Sequence, residues 1–245
     1  MMLTSLAYLF GIIVTLEALK LPEYIIPCEV NEKFNECALT TANRVIPQFA
    51  KGDKKFKIPS LMPLKIPFVE LSPGSGFTLK IKNMEIYGLE NLKMIMSKTD
   101  FKNKKGVGLV NADKLVILGN YEIKGSISVL PVEGKGPLNI TLVGAKFIDN
   151  YSWNIINRGG QDYIDSLNSK LDYNIERAIY NFQNLFNGDK MLGDQLNNFL
   201  NENWQQVSGD MKQSILNTAE VIFADISNKL FTQIPFKDFF KNYSM

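Results

Sequence analysis

The stretch that decides the fold is residues 190–233, KMLGDQLNNFLNENWQQVSGDMKQSILNTAEVIFADISNKLFTQ. Apolar residues recur along it at helical spacing, which predicts one amphipathic helix of roughly 60 Å at about 1.5 Å per residue. Ser208 and Gly209 are the only break in helix propensity, and Pro235 ends the pattern. The apolar stripe consists of Leu192, Leu196, Phe199, Leu200, Trp204, Val207, Met211, Ile215, Ala219, Ile222, Ile226 and Leu230.

The two halves of this helix differ on the face opposite the stripe. Before Ser208 that face is polar, so we expect it to be partly solvated; its residues are Asp194, Gln195, Asn197, Asn198, Asn201 and Glu202. After Gln213 little of the circumference is polar, because the chain adds Leu216, Val221, Phe223, Ala224 and Phe231. A helix that is apolar nearly all round is normally enclosed, so we expect a sheet to cover the second half.

Residues 77–182 have the pattern of an antiparallel sheet. Short segments between turn residues alternate apolar and polar positions with period two. Met84 and Ile86 are out of phase with Ile81, which predicts a bulge near Lys82 and Asn83, and bulges curve a sheet. The alternating sets are Phe77, Leu79 and Ile81; Leu92, Met94 and Met96; Tyr121, Ile123, Ile127 and Val129; Leu138, Ile140 and Leu142. A curved sheet wrapped around the long helix, with an apolar space between them, satisfies both patterns.

Two further segments precede the predicted sheet. Residues 31–50 have helix-like apolar spacing, interrupted by Pro47, and predict a first helix of about four turns. Residues 51–73 contain four prolines between apolar residues. Proline cannot donate to a strand ladder, which favours an extended surface strap over a central strand.

Residues 3–16 are apolar and almost uncharged, and their length suits the core of a secretory signal peptide better than a membrane span. We expect cleavage after about Ala18, although an uncleaved anchor is the alternative. The chain then divides into a signal peptide, residues 1–18, and a single domain, residues 19–245. Such a protein would be secreted and extracellular, without stable membrane insertion.

The two cysteines, Cys28 and Cys37, lie just after the expected cleavage point. In an oxidising compartment they would close a small loop as a structural disulfide. A reactive thiol is the alternative, but no activating base or CxxC motif lies nearby. Three Asn-x-Ser/Thr triplets, beginning at Asn139, Asn150 and Asn242, are candidate glycosylation sites.

The composition argues against most catalytic and metal chemistry. The chain has no histidine, the usual general base near neutral pH and the commonest metal ligand. The formal charge of +2 comes from scattered residues, which argues against a nucleic-acid partner. We therefore expect no enzyme activity, metal or cofactor. A lipid-acting hydrolase that uses Ser, Asp or Lys is the catalytic alternative.

Several segments together resemble one protein family. Residues 21–52, LPEYIIPCEVNEKFNECALTTANRVIPQFAKG, are similar to the N-terminal signature of the takeout and juvenile hormone binding protein family of insects. Residues 184–204, NLFNGDKMLGDQLNNFLNENW, resemble the family motif at the start of its long C-terminal helix. Supporting matches, in chain order, are IPSLMPLKIP (58–67), YGLEN (87–91), NYEIKGSISVLPVEGKG (120–136) and IPFKDFF (234–240).

The resemblance implies an α+β fold of the super-roll (TULIP) type. In it, a strongly curved antiparallel sheet wraps a long C-terminal helix and encloses an apolar cavity or tunnel. The resemblance also implies a secreted carrier of lipophilic ligands. The hormone-binding branch typically carries a second disulfide, whereas this chain has only the Cys28 and Cys37 pair. That difference favours the takeout branch and argues against juvenile hormone itself as the ligand.

The leading hypothesis is a monomeric carrier that holds an elongated hydrophobic molecule, such as a terpenoid, fatty acid or related lipid, by apolar burial. The alternative is an extracellular interaction protein that acts on a receptor or membrane surface and has no dedicated small ligand. For each candidate lining residue, plain core packing is the competing interpretation, and Trp204 could instead turn its indole N–H to a polar neighbour. The candidate lining residues are Leu79, Ile81, Met94, Met96, Leu196, Leu200, Trp204, Val207, Met211 and Ile215.

Overall fold

The computed structural model describes residues 19–72, 76–127 and 130–243, so the expected signal peptide lies outside the described residues. Within them, a seven-stranded antiparallel sheet combines with a helical C-terminal region, which confirms the α+β fold class. The elements are β1 (Cys28–Glu29), α1 (Phe34–Phe49), β2 (Leu64–Leu71), β3 (Phe77–Tyr87), β4 (Lys93–Asp100), β5 (Lys105–Ile127), β6 (Leu130–Arg158), β7 (Gln161–Asn174), β8 (Arg177–Phe182), α2 (Lys190–Glu202), α3 (Trp204–Phe231), α4 (Phe236–Phe239) and β9 (Phe240–Lys241).

A long ribbon of β5 and β6 organises the sheet. On the edge of β5 that faces away from β6, β3 pairs with the C-terminal part of β5 and β4 with its N-terminal part. On the edge of β6 that faces away from β5, β8 pairs with the N-terminal part of β6 and β7 with its C-terminal part. The ribbon therefore has two ends. We call the one bordered by β2, β3 and β8 the β8 end, and the one bordered by β4 and β7 the β7 end.

A glycine in β6 marks the boundary between the two ends. Gly144 has a φ of 60°, a conformation that residues with a Cβ rarely adopt. Before it, the buried residues of β6 include Leu138 and Ile140; after it, they are Ala145 and Trp153. The buried positions thus change from even to odd numbers across this irregularity, which keeps the apolar side chains on one inner face along the whole strand.

The sheet curves around α3. The predicted bulge is confirmed, since the register between β3 and β5 shifts between Lys82 and Glu85, and Asn83 has a φ of 51°. Such bulges increase local twist and bend a strand. Helix α3 contacts the edge strand β2 on one side and β7 and β8 on the other. Both edges of one sheet reach the same helix only if the sheet is bent around it.

The helical region predicted as one long helix is divided into two, α2 and α3. The break lies at Asn203, which has a φ of −104° and a ψ of 26°, between α2 and α3. Its backbone N–H and its side-chain amide both donate to the carbonyl of Phe199 at the end of α2. Ser208 and Gly209, the weakest point in helix propensity, lie inside α3 and do not interrupt it. A Cβ at Gly209 would meet no described atom within 4 Å, so close packing does not require a glycine here. Its effect is a lower intrinsic helix propensity.

The expected enclosure of the second half of the helical region is also wrong. Leu216, Ile226 and Leu230 are buried, whereas Val221 is 70% exposed and Phe223 is 40% exposed. The sheet covers only one face of α3, because β2 and β7 are its edges and no further strand follows them among the described residues. The opposite face of α3 is left in contact with solvent.

The proline-rich segment is extended only in its second part, and it is not a surface strap. Its first part forms a turn closed by a bridge between Asp53 and Ile58, and it buries Phe56 and Ile58. Its second part forms β2, which pairs with β3 and buries Leu64, Val69 and Leu71. As an edge strand, β2 accommodates Pro67, which cannot donate to a ladder. The predicted first helix is present as α1, and Pro47 lies within its last turn.

The predicted disulfide is confirmed between Cys28 and Cys37, whose Cα atoms are 5.9 Å apart. It joins β1 to the first turn of α1. Because β1 pairs with β9 through Cys28 and Phe240, the same region also connects the two ends of the described chain.

Candidate ligand-binding site

A small cavity lies within the most extensive apolar cluster of the described residues, between the inner face of the β8 end and helices α2 and α3. Its volume is about 20 Å³, room for no more than a few water-sized groups. The lining comes from β3, β5, β6, β8, the turn before α2, and both helices. The lining residues are Phe77, Leu79, Ile123, Ile127, Val132, Ile140, Tyr180, Phe182, Leu185, Leu196, Leu200, Val207 and Met211.

Period-two and period-four patterns bring these side chains together. Alternate residues of β8 point inward, so Ala178, Tyr180 and Phe182 are buried and the residues between them are exposed. In α2, Leu196 and Leu200 are one turn apart and only 4% and 2% exposed. The stripe then continues across the break into Val207 and Met211 at the start of α3.

Two asparagines hold α2 on the free edge of β8. The Asn197 amide donates to the carbonyl of Phe182 (2.8 Å) and accepts from the backbone N–H of the same residue (2.9 Å). Asn201 forms the same pair with Tyr180, at 2.7 and 2.8 Å. The face that carries them was expected to be partly solvated, and Asn197 and Asn201 are half-buried while the other four residues of that face are exposed. The contact of the two amides with the sheet was not expected. They complete the hydrogen bonds of a strand edge that no other described strand covers.

Two tyrosine hydroxyls lie at the apolar cluster. Tyr121 donates to the carbonyl of Gln183 (2.7 Å), and burial raises the pKa of Tyr121 to about 12. Tyr180 and Ser208 share a hydrogen bond of 2.7 Å between their hydroxyl oxygens. Burial also raises the pKa of Tyr180, although the Ser208 hydroxyl opposes that rise. Both phenols are therefore neutral near pH 7 and act as hydrogen-bonding groups.

The structure brings five of the ten candidate lining residues to the cavity, namely Leu79, Leu196, Leu200, Val207 and Met211. Ile81 belongs to the same buried cluster, and Trp204 and Ile215 pack against it from partly exposed positions. The Arg177 guanidinium lies over the Trp204 ring, 5.8 Å from its centroid. Met94 and Met96 are on β4 at the β7 end, where α1 contacts that strand.

The residues that sequence reasoning missed come mainly from β5, β6 and β8. The alternation in Ile123 and Ile127, and in Leu138 and Ile140, had marked strands, but nothing in it indicated that these strands face α2. In β8, the period-two alternation of Ala178, Tyr180 and Phe182 could have indicated a strand with these residues on its inner face.

At the β7 end the inner face is more polar. Burial raises the pKa of Asp149 to about 6; the Ser169 hydroxyl opposes the rise, and the negative charge of Glu220 adds to it. The Oδ1 atom of Asp149 is buried without a hydrogen-bond partner in the described part of the chain. Tyr151, two residues further along β6, shares a hydrogen bond of 2.7 Å with the hydroxyl of Thr99. This end is therefore a poorer environment for an apolar guest.

Metal-binding clusters and membrane-spanning helices are absent from residues 19–72, 76–127 and 130–243. No group of three or more His, Cys, Asp or Glu side chains in these ranges could hold a metal ion. No helix in them is long and apolar enough to cross a membrane. Asn139, Asn150 and Asn242 are exposed and would be accessible to a glycosylating enzyme. Their glycosylation stays a prediction.

Comparison with known proteins identifies the family. Circadian clock-controlled protein daywake of Drosophila yakuba is 23% identical over 225 residues, which cover 87% of this chain and 86% of that protein. Its Drosophila melanogaster counterpart is 24% identical with the same coverage. Takeout 1 of Epiphyas postvittana has the same fold, with a TM-score of 0.78 and 21% identity over 88% of this chain and 99% of that one. The family model described as haemolymph juvenile hormone binding protein matches residues 6–241. The resemblance drawn from the motifs is thereby confirmed, and the chain belongs to the haemolymph juvenile hormone binding protein family.

Proposed function

We propose that this protein is a secreted carrier that binds an elongated hydrophobic small molecule, such as a terpenoid, a fatty acid or a related lipid. The observation that carries the proposal is the position of the cavity. It lies inside the most extensive apolar cluster, and Tyr180 provides the only hydroxyl among its described lining residues. The family is named for binding rather than catalysis, which supports a carrier over an enzyme.

The cavity must enlarge to admit such a ligand. Pockets for drug-sized molecules measure about 300–1,000 Å³, whereas this one is about 20 Å³. Met211 is a flexible lining residue that can change rotamer at little cost. Burial of a chain of about 15 carbons gains several kcal/mol at roughly 25 cal/mol per Å², before the entropy of association is subtracted. We infer that a bound ligand displaces the lining side chains from this space, so that the small cavity widens into a tunnel when it is occupied.

Secretion is part of the proposal. The apolar segment 3–16 suits a signal peptide, and a structural disulfide is typical of oxidising compartments. The family description refers to haemolymph, an extracellular fluid. The chain would act there as a monomer, with each copy holding one ligand.

The small volume favours one alternative. If the interior is filled by its own side chains in solution, the protein acts instead on a receptor or membrane surface and carries no dedicated small ligand. The two functions differ in whether a lipid from solution can enter the interior of the protein and be displaced from it.

A fluorescent fatty acid distinguishes them. We expect saturable binding of one probe per chain and displacement of that probe by unlabelled lipid. Leu200→Phe adds volume inside the cavity and should weaken binding at least tenfold. The matched control is Ile179→Phe, because Ile179 is on β8 but points outward and is 45% exposed. Circular dichroism would verify that both variants fold.

Two outcomes would overturn the carrier proposal. One is the absence of displaceable probe from the wild-type protein. The other is equal binding by wild type, Leu200→Phe and Ile179→Phe, since the probe would then occupy a place other than the cavity.

A further inference from the structure

Helix α2 is a separately terminated part of the cavity wall. At its first turn, the Asp189 carboxylate accepts from the backbone N–H of Leu192 at 3.0 Å and caps the helix. At its other end, the break at Asn203 separates it from α3. Because both ends are defined by its own capping residues, α2 can move as a rigid body while α3 stays in place.

The turn that leads into α2 has backbone conformations that side chains disfavour. Asn184, Phe186 and Asn187 have φ values of 59°, 51° and 56°. Asparagine tolerates this left-handed region, whereas an aromatic residue in it is strained. Phe186 packs against the most extensive apolar cluster, and its carbonyl accepts from the N–H of Asp189. Strain of this kind clusters at segments that switch between conformations.

Two kinds of contact hold α2 over the cavity. Leu196 and Leu200 contribute apolar surface to the cavity wall. Asn197 and Asn201 form the four hydrogen bonds to the edge of β8. If α2 moves away from β8, water can replace all four hydrogen bonds, and the two leucines line the gap that opens. An apolar molecule then meets apolar surface on its way into the cavity.

The other described parts of the cavity wall are fastened more firmly. Strands β3, β5, β6 and β8 are joined edge to edge by backbone ladders. Helix α3 contacts both β2 and β7. Displacement of a strand breaks a ladder along its length, whereas displacement of α2 breaks four hydrogen bonds to side chains. Local opening occurs at the segment that is least firmly held, which here is α2.

We propose that α2 is a lid and that the ligand enters the cavity between α2 and β8. The lid moves about two hinges, residues 184–188 and Asn203, and closes again over the bound ligand. The asparagine contacts are therefore present in the closed state with and without ligand. This inference rests on the proposed carrier function and specifies how its site is reached.

The test measures the association and dissociation rates of the fluorescent fatty acid by stopped flow. It compares the wild-type protein with the Asn197→Ala/Asn201→Ala double variant, which keeps the leucines of α2 and loses its hydrogen bonds to β8. Asn198→Ala, at an exposed position of the same helix, is the matched control. Asn228→Ala is the second control, because it removes a helix contact from β7 and leaves the lid intact. Circular dichroism would verify that all variants fold.

We expect the association rate of the wild-type protein to level off as probe concentration rises, because opening of the lid limits it. The double variant should associate and dissociate about tenfold faster, the effect of losing one net hydrogen bond. Its Kd should change less than either rate, since contacts made in both closed states cancel in the equilibrium. Both controls should keep wild-type rates.

Amide hydrogen exchange tests the same motion without a probe. The N–H groups of Tyr180 and Phe182 are bonded to the two asparagines, so in the wild-type protein they should exchange through opening of the lid, faster than global unfolding allows. Exchange at both positions that is as slow as global unfolding would contradict the lid.

The binding data separate failure of the lid from failure of the carrier function. If the wild-type protein binds the probe displaceably but the double variant keeps wild-type rates, the lid is disproved and the carrier function stands. The same holds if Asn228→Ala accelerates binding as much as the double variant does. If no displaceable probe binds to the wild-type protein, the carrier function fails and the proposed entrance fails with it.

Discussion

Helices α2 and α3 are both held on the edge of a strand by side chains that hydrogen-bond to its backbone, but they do so differently. On β8, Asn197 and Asn201 are one turn apart, and each amide both donates and accepts, which gives four hydrogen bonds. On β7, Asn228 and Glu220 only accept, from the N–H groups of Leu167 and Leu171. The Glu220 carboxylate can only accept, and the Asn228 amide, which could also donate, contacts the β7 backbone through its oxygen alone.

This difference corresponds to what lies beneath each helix. The closely fastened α2 covers the cavity and the most extensive apolar cluster. The C-terminal half of α3 is fastened at two points eight residues apart, and its outer face exposes Val221 and Phe223. We infer that the α2 contact covers the cavity, whereas the α3 contact holds the edge strand β7 against the helix.

The largest expected effect is at the centre of the α2 contact. Leu200→Ala removes a side chain that is 2% exposed and should lower the free energy of unfolding by about 3 kcal/mol, because it loses apolar burial and enlarges the cavity. Met191→Ala, on the same helix but 66% exposed, should change it by less than about 0.5 kcal/mol. Chemical denaturation measures both. Similar values for the two variants would contradict the assigned orientation of α2.

The asparagine contacts come next in size. Asn197→Ala/Asn201→Ala leaves four backbone groups of β8 to water and should cost about 2–3 kcal/mol. Asn228→Ala removes one acceptor from β7 and should cost about 1 kcal/mol. Asn198→Ala, an exposed asparagine on α2, is the control and should cost almost nothing. Equal costs for Asn228→Ala and the double variant would remove the distinction between the two contacts.

Asp149 gives a pH-dependent effect at the β7 end. Its pKa is raised to about 6 in the folded protein, from an unfolded value near 3.8, so the folded state holds this proton more tightly. Stability should therefore fall as pH rises from about 4 to 6 and should stay lower above pH 6. Asp149→Asn should be more stable than wild type by about 2 kcal/mol at pH 7.5 and equal to it near pH 4. Thermal unfolding across this range tests the prediction, which a pH-independent difference would contradict.

The smallest expected effect is on the open face of α3. Val221→Ser should change the free energy of unfolding by less than about 0.5 kcal/mol, because Val221 is 70% exposed. Leu230→Ala, on the covered face and 3% exposed, should cost about 3 kcal/mol. A cost above about 2 kcal/mol for Val221→Ser would mean that a partner or another segment covers this face.

The sequence allowed the strands and the helical region to be predicted because their signals are local. Period-two alternation marked β3 to β6, and the out-of-phase Met84 marked the bulge after Lys82. The disulfide followed from the only two cysteines present. These features depend on residues close to one another in the chain.

The missed features depend on contacts between distant segments. The pattern of Asn197 and Asn201 is the same whether they face water or the edge of β8. Val221 and Phe223 suggested enclosure, but the extent of the sheet, and not the helix, decides what is covered. Likewise, Met94 and Met96 alternate as cavity residues would, yet the pairing of β4 with β5 takes them to the β7 end.

The central claim, that an apolar ligand occupies the cavity beneath α2, is tested most directly by NMR of the methionine methyl groups labelled with ¹³C. Seven of the nine methionines lie after the proposed signal peptide, and their signals can be assigned by Met→Leu substitution. On addition of an unlabelled fatty acid, we predict a large shift for Met211, which lines the cavity, and little change for Met94 and Met96. Shifts at Met94 and Met96 with Met211 unchanged, or no shift at any methionine, would contradict the claim.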